Sequence, residues 1–166
     1  MPGPEIAFVI VGIVGSVAAF RLVTSRNVVR AALYLVLTLA MVGATYILVG
    51  AEFIGWTQVL IYVGAIVVLV LFALMLTRAP IGRDTLDNQQ RLLALVVSVG
   101  ILAGLVFLIQ GAFGGKKIAV HPTRTTEIGT ALFSRYVLPF EVVSVLLLAA
   151  LIGAVVLARK DGGEDG

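Results

Sequence analysis

Residues 53–77 read FIGWTQVLIYVGAIVVLVLFALMLT, twenty-five positions without a charged side chain. At about 1.5 Å of rise per residue, a helix of this length crosses a hydrocarbon core roughly 30 Å thick. Yet Gln58, Tyr62 and Gly64 stand inside the apolar run. A passive anchor has no use for a phenol or a helix-weakening glycine at its middle, and each carries a cost in lipid. This stretch decides the fold class, and it is also the first place to look for function.

Working outward, the whole chain has the same character. It has 166 residues, of which 60% are hydrophobic and 13% charged, about half the charged share of a soluble domain. Four more apolar runs lie at about Glu5–Leu22, Arg30–Val49, Leu92–Gln110 and Phe140–Ala158. The expected fold is one all-α integral membrane domain of five transmembrane helices, spanning residues 1–166. The first basic residue is Arg21, behind the first apolar run rather than ahead of it. That order predicts a retained first helix and not a cleaved signal peptide.

The connections TSRNVV and GAE are tight, so the first three helices are expected to be antiparallel neighbours. The connection RAPIGRDTLDNQQR is polar, the segment from Gly111 to Tyr136 is the longest, and RKDGGEDG is expected to be a mobile tail over 159–166. Arg21, Arg26, Arg30, Arg78, Arg83, Arg91, Arg159 and Lys160 fall on one face of this layout. The opposite face holds only Lys116, Lys117, Arg124 and Arg135. The positive-inside rule then predicts an N-terminus outside and a C-terminus in the cytoplasm, in a multi-pass protein of the cell's inner (plasma) membrane.

Several function classes drop out. The chain has no cysteine and one histidine, His121, so thiolate-held clusters, disulfides and multi-histidine metal or haem sites are excluded. The net charge of +3 comes from residues at the ends of apolar runs, where they set topology, so nucleic acid is not an expected partner. No Asp, Glu, Lys or Arg lies in the middle of a span. A self-sufficient ion carrier places an ionisable group near the bilayer midplane, so this chain is better suited to lining or gating a path. An odd number of spans without repeats also argues against a stand-alone transporter.

The acids near the spans are Glu5, Glu52 and Glu141. Glu5 reads as solvated. Glu52 precedes the third helix, where the helix dipole favours an acid. Glu141, at the start of the fifth span, is open between an interfacial cap and a member of a proton path or subunit contact. Gln58 and Tyr62 share a helix face at i, i+4 spacing. Gly64 softens the helix by about 1 kcal/mol relative to alanine, and the stiff β-branched run Ile66, Val67, Val68 follows. A soft point ahead of a stiff segment suits a kink or a π-bulge; the alternative is that Gly64 only permits close packing. Small residues in the other spans, among them Gly12, Gly15, Gly100, Gly104 and Gly153, allow close helix approach within the chain or to other subunits.

GAEFIGWTQVLIYVGAIVVLVLFALML, residues 50–76, resembles the third-helix signature of the J subunit of bacterial NADH:quinone oxidoreductase, respiratory complex I, whose mitochondrial counterpart is the ND-six subunit. IGTALFSRYVLPFEVVSVLLLAALIGAVVLA, residues 128–158, resembles that family's fifth helix and its approach, and RNVVRAALYLVLTLA, residues 26–40, its second helix. The resemblance implies a membrane subunit of a proton pump that couples electron transfer from NADH to quinone. NADH, FMN, iron–sulfur clusters and quinone would belong to the whole complex, none of them bound by this chain. The implied partners are the H, A, K and N-type membrane subunits, the peripheral redox arm and the lipid bilayer. It further implies a π-bulge around Tyr62 and Gly64 whose conversion to α-helix turns the following half, so that Val67, Val68 and Phe72 block or vacate a water path. The connection after the third helix would lie near the quinone-reactive region. Gln58 stands where related sequences can carry an acid, which speaks against a direct proton-carrying role there; Glu52, Gln58 and Glu141 remain candidates for a proton path or subunit contact. A related complex fed by ferredoxin or a deazaflavin is the alternative.

Overall fold

The computed structural model describes residues 3–77, 91–115 and 122–159. The polar connection after Thr77, the segment with Lys116, Lys117 and His121, and all of the expected tail but Arg159 lie outside these residues. The described chain is helical: α1 Gly3–Thr24, α2 Val28–Leu48, α3 Glu52–Thr57, a π-helix Gln58–Ile66, α4 Val67–Leu76, α5 Arg91–Phe113, α6 Thr125–Ser134 and α7 Val137–Ala158. α3, the π-helix and α4 form one continuous third span over Glu52–Leu76. With α1, α2, α5 and α7 it makes five helices long and apolar enough to cross a membrane, as the apolar runs led us to expect.

α2 is the centre of the packed part, with α1 on one side and the third span on the other. Gly15 of α1 meets Met41 of α2, where an added Cβ would stand 3.1 Å from Met41 Cβ. Ala18 and Ala32 are buried. Since lipid tails are as apolar as the side chains, such contacts hold by close packing of small residues rather than by the hydrophobic effect.

The two turns have legible chemistry. Asn27 caps α2, its side chain accepting from the backbone N–H of Arg30 at 3.1 Å, while Ser25 Oγ donates to the Asn27 carbonyl at 3.1 Å. α2 ends in a Schellman motif: Gly50 N–H bonds the Ile47 carbonyl at 3.0 Å and Ala51 N–H the Tyr46 carbonyl at 2.9 Å. Gly50 has φ +80°, which only glycine adopts cheaply. Pro122 lies against it, 3.0 Å from where a Cβ would be. That contact brings the start of the α6 region to the face of the membrane where α2 ends and α3 begins.

α7 starts at Val137, with Pro139 in its first turn, where a missing N–H costs nothing. α6 packs against α7 through Phe133 and Phe140, whose rings meet edge to face at 5.0 Å. α5 and α7 bury no residue. Helices apolar all round, such as these two, suit lipid or other subunits as neighbours.

Candidate functional site

The site is the middle of the third span. Its first turns are pinned. Gly55 and Gly43 of α2 are both buried and face each other so closely that a Cβ on Gly55 would stand 2.9 Å from the Gly43 carbonyl oxygen. A Cβ on Gly43 would stand 2.9 Å from Val59 Cγ2 and 3.6 Å from Gln58 Cγ. The crossing therefore grips the span at the point where the π-helix begins. Thr57 donates to the Phe53 carbonyl at 2.7 Å, a back-bond that tends to bend a helix.

From Gln58 to Ile66 the backbone is π-helical over nine residues, and at its end the Val67 N–H bonds the Tyr62 carbonyl, five residues back. This is the irregular segment to which Tyr62 and Gly64 pointed, though it begins at Gln58 and is longer than a single bulged turn. Gly64 lies in it. A Cβ there would meet only the Val59 carbonyl oxygen, at 3.6 Å, and no atom of another helix within 4 Å. Close packing within the chain is therefore not why a glycine stands at 64.

Beyond the π-helix the side chains divide sharply. Val67 is 0% exposed, the largest fully buried side chain among the described residues, whereas Val68 is 59% and Phe72 58% exposed. Val67 opens α4, which packs on α2. Tyr62 is 45% exposed, so the phenol lies on a surface open to lipid, water or a neighbouring subunit. Gln58 is half-buried at the α2 crossing.

The two acids are not gathered at this centre. Glu52 is exposed in the first turn of α3, where its charge suits the helix dipole. Glu141 is exposed on α7, whose main helix contacts are with α6. No group of three His, Cys, Asp or Glu residues that could hold a metal occurs among the described residues. Sequence reasoning missed Gly43 and Gly55. Their signal was present: they stand at similar distances on either side of the tight Gly50 turn, where two antiparallel helices must meet.

These features define a class, a multi-pass helical membrane protein whose third span is pinned at one end and π-helical at its middle. The chain belongs to the family described as NADH-ubiquinone/plastoquinone oxidoreductase chain 6, whose sequence profile matches residues 18–157. It is 39% identical to the F(420)H(2) dehydrogenase subunit J of Methanosarcina mazei, over 88% of this chain and 85% of that one. It is 37% identical to the NAD(P)H-quinone oxidoreductase chain 6 of a Synechocystis species, over 94% of this chain and 78% of that one. With the NADH-quinone oxidoreductase subunit J of Escherichia coli the identity is 32%, over 95% of this chain and 88% of that one.

Proposed function

We propose that the chain is a core membrane subunit of a proton-translocating NADH:quinone oxidoreductase in the plasma membrane, and that its third span gates proton transfer. The observation that carries this is the π-helix at 58–66, ending on the buried Val67. The orientation has the N-terminus outside, on the strength of the eight-to-four division of basic residues. The subunit is non-catalytic, and other membrane subunits and the redox arm supply the proton carriers, FMN, iron–sulfur clusters and quinone site.

The gating step follows from helix geometry. In a π-helix each residue past the irregularity sits about where its predecessor would sit in a regular helix. Loss of one residue of excess turns α4 by roughly 100° and shifts it about 1.5 Å along its axis. With α3 held by the Gly43–Gly55 crossing, the motion is confined to the part after Gln58. Ile66 then enters the buried place of Val67, Val67 takes the exposed place of Val68, and Phe72 takes that of Ala73. Bulk thus moves around the helix without any change in chemistry, which opens or closes a hydrated route on the face that Tyr62 shares. Tyr62 steadies water at its hydroxyl; Gln58, Glu52 and Glu141 serve as polar stations or subunit contacts.

Isolation from native membranes in mild detergent tests the assignment. Co-purification with a large redox assembly is the expected result, and a lone, active oligomer would overturn it. A second reading is favoured by the 39% identity to the F(420)H(2) dehydrogenase subunit, namely the equivalent subunit of a deazaflavin-linked complex. Membranes that oxidise NADH with quinone support the first; membranes that oxidise only the reduced deazaflavin support the second.

A further inference from the structure

The turn between α1 and α2 carries three arginines and a cavity, and the gating reading uses neither. Arg21, Arg26 and Arg30, with Ser25, Asn27 and Tyr34, line a space of about 240 Å³. That is below the roughly 300 Å³ at which small-molecule sites usually begin, and in scale with a lipid headgroup rather than a whole lipid. Arg21, in the last turn of α1, is favoured by that helix's dipole. Arg30 is not: it stands in the first turn of α2, where the dipole opposes a cation and which holds no acidic residue of its own. The carboxylates flanking α1 and α2, Glu5 and Glu52, lie at the opposite ends of these helices. Three arginines thus line one cavity with a helix N-terminus, where the Asn27 side chain takes up the Arg30 N–H and the N–H groups of Val28 and Val29 have no partner inside the helix. An anion is the ligand that reconciles them, and guanidinium groups suit phosphate with paired hydrogen bonds.

Its source follows from position. The cavity lies where two apolar spans meet water, and Phe20, Val23, Val29 and Leu33 are exposed on the adjoining helix surfaces. We infer that this turn binds the headgroup of an anionic phospholipid, its phosphate held by Arg21, Arg26 and Arg30 and its acyl chains lying on the exposed apolar surface of α1 and α2. The site is independent of the third span.

The test uses the purified full chain in detergent, given an equimolar mixture of phosphatidylglycerol and phosphatidylcholine with matched chains, with retained lipid read by native mass spectrometry. Phosphatidylglycerol is expected to be retained preferentially, and each single change Arg21→Gln, Arg26→Gln or Arg30→Gln to weaken that retention about fivefold. Arg26→Lys should keep part of it, and Arg124→Gln, across the membrane, all of it. Because the preference is first read on the unmodified chain, a variant that fails to fold does not decide the matter. Equal retention of both lipids by the unmodified chain would overturn the proposal, as would unchanged preference in folded glutamine variants. Displacement of the lipid by millimolar inorganic phosphate would overturn the lipid as the source. Asp84 and Asp87 of the connection after Thr77, and Asp161, Glu164 and Asp165 of the tail, share this side of the membrane in the proposed orientation and are the competing occupants; if either set fills the cavity, its replacement by Asn and Gln raises retention severalfold, whereas the proposal expects no change.

Discussion

Replacing Gly55 with alanine adds one methyl group at the tightest point of the fold. The new Cβ would stand 2.5 Å from Ile47 Cγ1, 2.9 Å from the Gly43 carbonyl oxygen and 3.2 Å from Ile47 N. Ile47 can turn its side chain, but the Gly43 carbonyl belongs to the α2 backbone. Ordinary contact begins at 3.4 Å, so α2 and the third span must part by about half an ångström. A gap of that size forfeits roughly a quarter of the dispersion well for each atom pair at the crossing, and overpacking of this kind costs about 1–3 kcal/mol. For a chain of this length the unfolding midpoint should then fall by roughly 2–12 °C, measured on detergent-purified protein. Gly64→Ala, nine residues on in the same span, meets only the Val59 carbonyl at an ordinary 3.6 Å and should not lower the midpoint. An unchanged midpoint for Gly55→Ala, or an equal fall for both, would refute the assignment of Gly43 and Gly55 as the grip on the third span.

The gating reading makes three further predictions. Gly64→Leu favours regular helix by up to about 1 kcal/mol; it should impair quinone-linked proton pumping while NADH oxidation by artificial acceptors stays intact, and normal pumping would sink the gate. Tyr62→Phe should produce a smaller loss, because water or a carbonyl partly replaces the phenol, and wild-type rates would reduce Tyr62 to packing. Val67→Ala leaves a void on the order of 50 Å³, which at roughly 24 cal/mol per Å³ costs the π-helical register about 1.2 kcal/mol. The balance should shift about eightfold toward regular helix, seen as a lower ratio of protons pumped to quinone reduced.

How much of this could be read from the residues alone differs from element to element. The five spans follow from length and composition, and the antiparallel order of the first three follows from turns too short for any other path. At Gly64 and the stiff valines after it the residues alone left two readings open, simple close packing and an irregular turn, and the family resemblance was what favoured the second. The extent of that turn was not legible, since the start at Gln58 depends on where α2 grips the helix. That grip needs two glycines from different spans to meet, and pairing register is a tertiary property that no single-helix pattern carries. α6 was hidden because ten residues in a polar connection give too short a period to count. For α5 and α7 no inward face was legible, because they are apolar along their length and bury nothing among the described residues. Glu52 stands in the first turn of α3 and Glu141 on α7, positions that follow directly from their places at the starts of two spans.

The absence of cysteine allows the central claim, a third span that changes register during turnover, to be tested directly. Single variants Ile66→Cys and Val67→Cys, in otherwise unaltered complex, can be labelled with a membrane-permeant thiol reagent, with and without turnover. In the π-helical register Val67 is buried and Ile66 exposed, so resting complex should label at 66 and be protected at 67. Turnover should expose 67 and slow labelling at 66. Protection of 67 that persists through active, coupled turnover would contradict the account.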